Sequence, residues 1–263
     1  MRTAAGKARN GQSDRMKYYG ITDKGLHRKS NQDSYVIATN VNGDIFAIVA
    51  DGIGGNKGGD IASRMAVAHF SKEFSETKGF RDLKEAKRWI QVNVTIANSA
   101  IFNYGVENPQ LKGMGTTFCG VMITSVGRLV VNIGDSRTYA WTDDHKFTQL
   151  TMDHSLLNDM LMHGELSKEE AANFPKKNVL TNALGVWETV RSDIDIHNEK
   201  VSGFMICSDG LHGYVSLELI KKIILHDDIE PSLKARRLVK AALDAGGYDN
   251  ITVVLIDLGE DRP

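Results

Sequence analysis

The stretch "IFAIVADGIGG", Ile45 to Gly55, sets six apolar residues in a row, then an aspartate, then glycines. An unbroken apolar run of that length, ended by turn residues, reads as a strand buried on both faces. The same figure occurs in "FMICSDGLHG" (204–213), and "GGYDNITVVLID" (246–257) shows its mirror image, an acidic turn before an apolar run. Strands lying side by side would bring Asp51, Asp209 and Asp249 together. Carboxylates in an apolar setting are costly alone, and a metal ion removes that cost. Mg²⁺ and Mn²⁺ prefer carboxylate, carbonyl and water oxygens. A single Asp-Gly is more often only a turn former or a helix cap. Three of them on sharply apolar strands favour metal.

The glycines do not make a nucleotide loop. In "GIGGNKGG" Lys57 stands where the dinucleotide pattern needs its third glycine, and Gly58 stands where a P-loop needs Ser or Thr. What the segment offers is backbone that can be approached closely, so that a carbonyl and a carboxylate can share a cation.

Outward from these strands, further candidates are 33–39, 117–123, 128–134 and 137–142. Short polar turns such as "NVNGD" and "TSVGR" suit antiparallel hairpins. Apolar stripes at helical spacing run through 60–76 and 82–105, and two more helices are expected near 216–225 and 231–245. Hairpin strands with helices grouped in pairs predict an α+β layer architecture, not a doubly wound parallel sheet. Residues 151–181 are helical, polar and without a good strand, which reads as a surface flap. Residues 1–15 are polar, lack periodicity and precede Met16; they read as a disordered extension, an upstream start or a cloning remnant. Residues 16–263 read as one domain.

Composition limits the function. A formal net charge of -1 over 263 residues gives no electrostatic case for nucleic acid or an anionic membrane. No apolar run approaches the roughly 18–20 residues of a membrane span. The basic start has no apolar core behind it, so it is not a secretory signal. The two cysteines, Cys119 and Cys207, lie inside apolar runs and read as small buried hydrophobes. Together these predict a cytoplasmic protein.

The motifs "GLHRKSNQDSY" (25–35), "VADGIGG" (49–55), "GMGTTFCGV" (113–121), "NIGDSRTY" (132–139), "DHS" (153–155), "LTNALG" (180–185), "ICSDGL" (206–211) and "GGYDNITVVL" (246–255) follow one another in unbroken order from about Tyr18 onward. In that order they resemble the metal-dependent protein phosphatase (PPM, type 2C) family, its compact bacterial members most. The resemblance implies a four-layer α-β-β-α sandwich, two antiparallel β-sheets flanked by helix pairs. It implies hydrolysis of phosphoserine and phosphothreonine by a water bridging two divalent metals, with two or three Mn²⁺ or Mg²⁺ ions in all. Asp51 would bridge two metals and the Gly52 carbonyl would join it at the second; Asp209 and Asp249 would hold the first. Asp135 would support a third, weaker ion with Asp209. Arg28 would bind the substrate phosphate, and Asp33 would orient the attacking water. The chemistry agrees: a water between two cations loses its proton near neutral pH, and a guanidinium fork keeps its charge and can pair two phosphate oxygens.

Two positions depart from the family pattern. Gln32 stands where many relatives have glutamate, and the amide adds no negative charge for the second metal. Ile53 stands where many eukaryotic members have a histidine proposed as general acid. His154 or His163 of the flap could approach, although such histidines are more often simply solvated. The partners implied are phosphorylated proteins, with a bacterial Ser/Thr kinase and its substrates foremost, met by a monomer. A catalytically dead relative acting as a binding module is the rival reading, but Arg28, Asp51, Asp209 and Asp249 are all in place.

Overall fold

Alternate residues of the Ile45–Ala50 strand serve two different cores, which is why the whole run is apolar. Phe46 and Ile48 pack under helices, whereas Ala47 and Val49 face a second sheet. The computed structural model describes residues 2–7, 16–54, 58–172, 174, 179–226 and 229–259. In chain order it begins β1 (Arg2–Lys7), β2 (Lys17–Asp23), β3 (Ser34–Thr39), β4 (Ile45–Ala50) and the short β5 (Gly52–Ile53). Helices α1 (Gly58–Ser75) and α2 (Leu83–Glu107) come next, then β6 (Gly115–Thr116), β7 (Phe118–Thr124), β8 (Gly127–Ile133), β9 (Arg137–Trp141) and β10 (Phe147–Gln149). The chain continues through α3 (Leu156–Met162), α4 (Lys168–Ala172), β11 (Asp193–Ile196), β12 (Gly203–Cys207), α5 (Asp209–His212), α6 (Leu217–Ile224), α7 (Pro231–Asp244) and β13 (Ile251–Asp257).

Two large antiparallel sheets result among the described residues, in the orders β1-β2-β13-β12-β9-β10 and β11-β8-β7-β4-β3. Their facing sides bury Val49, Cys119, Val121, Phe204, Ile206, Val254 and Ile256. On one outer side α1 and α2 lay Phe70, Phe74, Ile90 and Val94 against Phe46, Phe118 and Leu129. On the other, α6 and α7 lay Ile220, Leu238 and Val239 against Ile21, Met205 and Val253. The layers are therefore α-β-β-α, as expected. Helix starts follow local chemistry: the Asp82 carboxylate accepts from the Glu85 N–H (2.8 Å), Ser216 caps α6, and Pro231 opens α7 where no N–H partner is needed.

Three expectations change. Arg2–Lys7, read as part of a disordered extension, is a strand paired along β2 from Arg2↔Thr22 to Lys7↔Lys17. Backbone pairing at an open sheet edge asks little of the side chains; residues 1 and 8–15 lie outside the described residues. The strand expected over 204–209 stops at Cys207, and Asp209 opens α5 instead. The strand expected from Asp33 starts at Ser34, leaving Asp33 in the preceding loop. Within 151–181 the described structure is α3 and α4, closed at its base by the Leu156 N–H donating to the Val179 carbonyl (2.8 Å). No helix among the described residues is long and apolar enough to cross a membrane.

Candidate active site

Asp51 follows β4 directly, and two threonines fix its backbone. Its N–H donates to Thr117 Oγ1 (2.9 Å), and its carbonyl accepts from the Thr117 N–H (2.8 Å) and Thr116 Oγ1 (2.9 Å). Thr117 Oγ1 also bonds Ser136 Oγ at 2.7 Å, which ties Asp51 to the loop carrying Asp135. The glycine after Asp51 has a packing cause. A Cβ on Gly52 would lie 2.2 Å from the Gly59 carbonyl oxygen and 2.6 Å from that of Gln32. Its nearest neighbours are thus backbone, of α1 and of the Gln32 loop. The glycine after Asp209 acts alike: a Cβ on Gly210 would meet the Asn250 carbonyl oxygen at 1.9 Å. That close approach presses the Asp209 turn onto the Asp249–Asn250 turn.

Asn250 then gathers the loop that carries Arg28. Its Nδ2 donates to the carbonyls of Lys24 (2.8 Å) and Ser30 (3.0 Å), while its Oδ1 accepts from the Gln32 N–H (2.8 Å). Arg28 consequently reaches Asp249, Nη2 to Oδ2, at 2.7 Å. None of these stitching residues, Thr117, Ser136 or Asn250, was given a role at the site from sequence.

Asp33 is buried and Asp51, Asp135, Asp209 and Asp249 are half-buried, and the five share one field of charge. Burial pushes Asp33 up to about 7, although hydroxyls of Thr252 and Ser208, each 2.7 Å from its Oδ2, oppose the shift. Burial likewise raises Asp135 to about 7, with Asp209 adding to it, and Asp209 to about 6, with Asp249 adding. Asp51 is held well above the usual carboxylate range by burial, then by Asp33, Asp209, Asp135 and Asp249 in turn. Oδ1 of Asp33 and Oδ1 of Asp209 are buried and meet no donor. Buried carboxylate oxygens without donors call for a proton or a cation. An all-oxygen set of this kind fits Mg²⁺ or Mn²⁺. Among the described residues no three of the acidic, histidine or cysteine side chains are already drawn together as one ligand shell. The fit therefore rests on the shared field and the two donorless oxygens.

The departures are visible in place. Gln32 turns its amide towards the Gly54 carbonyl at 3.5 Å, and Ile53 pairs with Gly115 in the β5–β6 ribbon. His154 is not a solvated flap histidine: it is 2% exposed. Its Nδ1 accepts from the Gly134 N–H (3.2 Å) and faces Asn182 Nδ2 (2.9 Å), so Nε2–H donates to Asp193 Oδ2 (2.9 Å). Arg137 holds Asp153 with a two-pronged bond, Nε to Oδ1 at 2.9 Å and Nη2 to Oδ2 at 2.7 Å. Together Asp153 and His154 fasten the base of the 151–181 segment to the loop around Asp135. His163 is exposed, its Nδ1 2.7 Å from the Asp159 carbonyl oxygen. Cys119 and Cys207 are buried and free, as expected.

Comparison with known proteins shows the family. Residues 26–245 match the family model described as protein phosphatase 2C. The serine/threonine phosphatase stp of Listeria monocytogenes is 38% identical over 237 residues, 90% of this chain and 93% of that protein. Protein phosphatase PhpP of Streptococcus pneumoniae is 35% identical over 242 residues, 92% of this chain and 97% of its own length. The solved serine/threonine phosphatase of S. agalactiae superposes with a TM-score of 0.85 at 34% identity, covering 92% of this chain and 99% of that one. The chain belongs to the protein phosphatase 2C family, as a PPM-type protein-serine/threonine phosphatase of bacterial kind.

Proposed function

We propose that this phosphatase hydrolyses phosphoserine and phosphothreonine in proteins with two or three Mn²⁺ or Mg²⁺ ions. Asp51, the Gly52 carbonyl, Asp209 and Asp249 would hold two of them, and Asp135 with Asp209 a weaker third. The observation that carries this reading is the single field shared by Asp33, Asp51, Asp135, Asp209 and Asp249, in which two oxygens, Oδ1 of Asp33 and Oδ1 of Asp209, are buried and meet no donor. When bound, the ions would supply the acidity that turns a water into a nucleophile near neutral pH. Asp33, oriented by Ser208 and Thr252, would hydrogen-bond that water. Arg28, half exposed at the rim, would pair its fork with the substrate phosphate. His154, with both ring nitrogens engaged, is left out of proton transfer.

The reading extends to phosphorylated proteins, and to a bacterial Ser/Thr kinase and its substrates, as partners of a cytoplasmic monomer. Two buried free thiols support the reducing compartment. Calorimetric titration with Mn²⁺ tests the metal assignment. The wild type is expected to bind at least two ions and Asp209→Asn fewer, each with an unchanged circular-dichroism spectrum. Equal stoichiometry and affinity in the two proteins would remove Asp209 from the metal set.

A further inference from the structure

Beside Arg28 the surface is built of rings. His27 stacks on Tyr248 with centroids 5.0 Å apart and 14° between planes, and Tyr248 meets Tyr214 at 5.5 Å and 36°. Tyr248 is 52% exposed, Tyr214 41% and the neighbouring Leu26 66%. Scattered apolar side chains on a surface are ordinary, but a contiguous row of large ones marks a contact site. These rings belong to none of the three buried clusters, so packing of the core does not account for them.

Their placement ties them to the candidate active site. His27 precedes Arg28, Tyr248 precedes Asp249, and Tyr214 follows the short helix that Asp209 opens. Tyr214 lies in the field of Asp249, Asp209 and Arg28, which bear on its hydroxyl in opposite senses. The row is also held firmly: the N–H groups of Leu26 (2.7 Å) and His27 (3.3 Å) both donate to the Gly247 carbonyl. A chain whose phosphate reaches Arg28 advances only about 3.3–3.6 Å per residue. The residue next to the phosphorylated one therefore stays close to Arg28, on the side of the site where the rings stand. Rigid rings with few torsions give contact area at low entropic cost, and they favour apolar and aromatic partners.

We propose that Tyr214, Tyr248 and His27 form a subsite for an apolar or aromatic side chain adjacent to the phosphorylated residue of the protein substrate. The proposal rests on the phosphatase reading with Arg28 on the phosphate. The test uses phosphothreonine peptides identical except for phenylalanine or glycine at the position after the phosphothreonine, and a second pair varied at the position before it. With Mn²⁺, the wild type is expected to favour phenylalanine in one of the pairs by about 3- to 10-fold in kcat/KM. Tyr248→Ala and His27→Ala should each shrink that ratio, and Tyr248→Phe should keep it.

Equal use of phenylalanine and glycine at both positions by the wild type overturns the subsite, as does an undiminished ratio in Tyr248→Ala. A wild-type dimer in solution that Tyr248→Ala dissociates also overturns it, because the rings would then cover a second copy. Absence of Mn²⁺-dependent turnover of every peptide overturns the phosphatase reading itself, and that result is distinct from turnover without preference.

Discussion

Arg28 and Asp249 hold each other at 2.7 Å, the residue expected to bind phosphate paired with a residue expected to bind metal. An ion on Asp249 would compete with the guanidinium, and the freed fork would then face the site. Arg28→Ala should therefore tighten the first Mn²⁺ while lowering kcat/KM about 10- to 100-fold, the worth of a charge-assisted hydrogen bond or two. Mn²⁺ titration and steady-state kinetics on one preparation check both halves. Weaker metal binding in the variant would contradict the competition.

Asp209→Asn keeps the shape of the side chain and removes its charge. The fold should survive and most turnover should be lost, read as circular dichroism beside phosphate release. Normal turnover in this variant would remove Asp209 from the chemistry.

The raised carboxyls also fix how stability changes with pH when no metal is present. In an unfolded chain they titrate near 4, whereas the folded values are about 7 for Asp33 and Asp135 and about 6 for Asp209. Between about pH 4 and 7 the folded state thus holds protons that the unfolded chain has released, and stability falls as pH rises. Metal-free protein should melt lower at pH 8 than at pH 5, added Mn²⁺ should reverse this, and Asp209→Asn should flatten the slope. Melting curves across that range decide it; a metal-free Tm that climbs with pH would contradict the shared field.

How much of this was legible in the sequence depends on where each residue's partner lies. The runs at β4, β7, β12 and β13 were readable because both faces of each strand are buried, so they are almost wholly apolar, the buried Thr252 of β13 being the interior exception. The "DIDI" of β11 was not, since Asp195 and Ile196 stand exposed at the edge of its sheet. The aspartates stood out at the ends of apolar runs. Asn250 and Thr117 did not, because an asparagine or threonine in a turn looks ordinary until its partners, 218 and 66 residues away in the chain, are known. His154 looked solvated for the same reason: Asn182 and Asp193, which enclose it, lie far along the chain.

That enclosure gives a prediction of its own. His154→Ala leaves Gly134, Asn182 and Asp193 each short of a partner, and should cost on the order of 2–4 kcal/mol by denaturant unfolding. The pH dependence of kcat should keep its shape, because the ring takes no part in proton transfer. A lost limb in that profile, with stability intact, would make His154 an acid or base after all.

The most direct measurement is phosphate release from a phosphothreonine peptide, with Mn²⁺ and again with an excess of chelator. Turnover that needs Mn²⁺ and stops with chelator is the result expected if these carboxylates hold metal. No turnover despite bound Mn²⁺, or turnover indifferent to chelator, would contradict it.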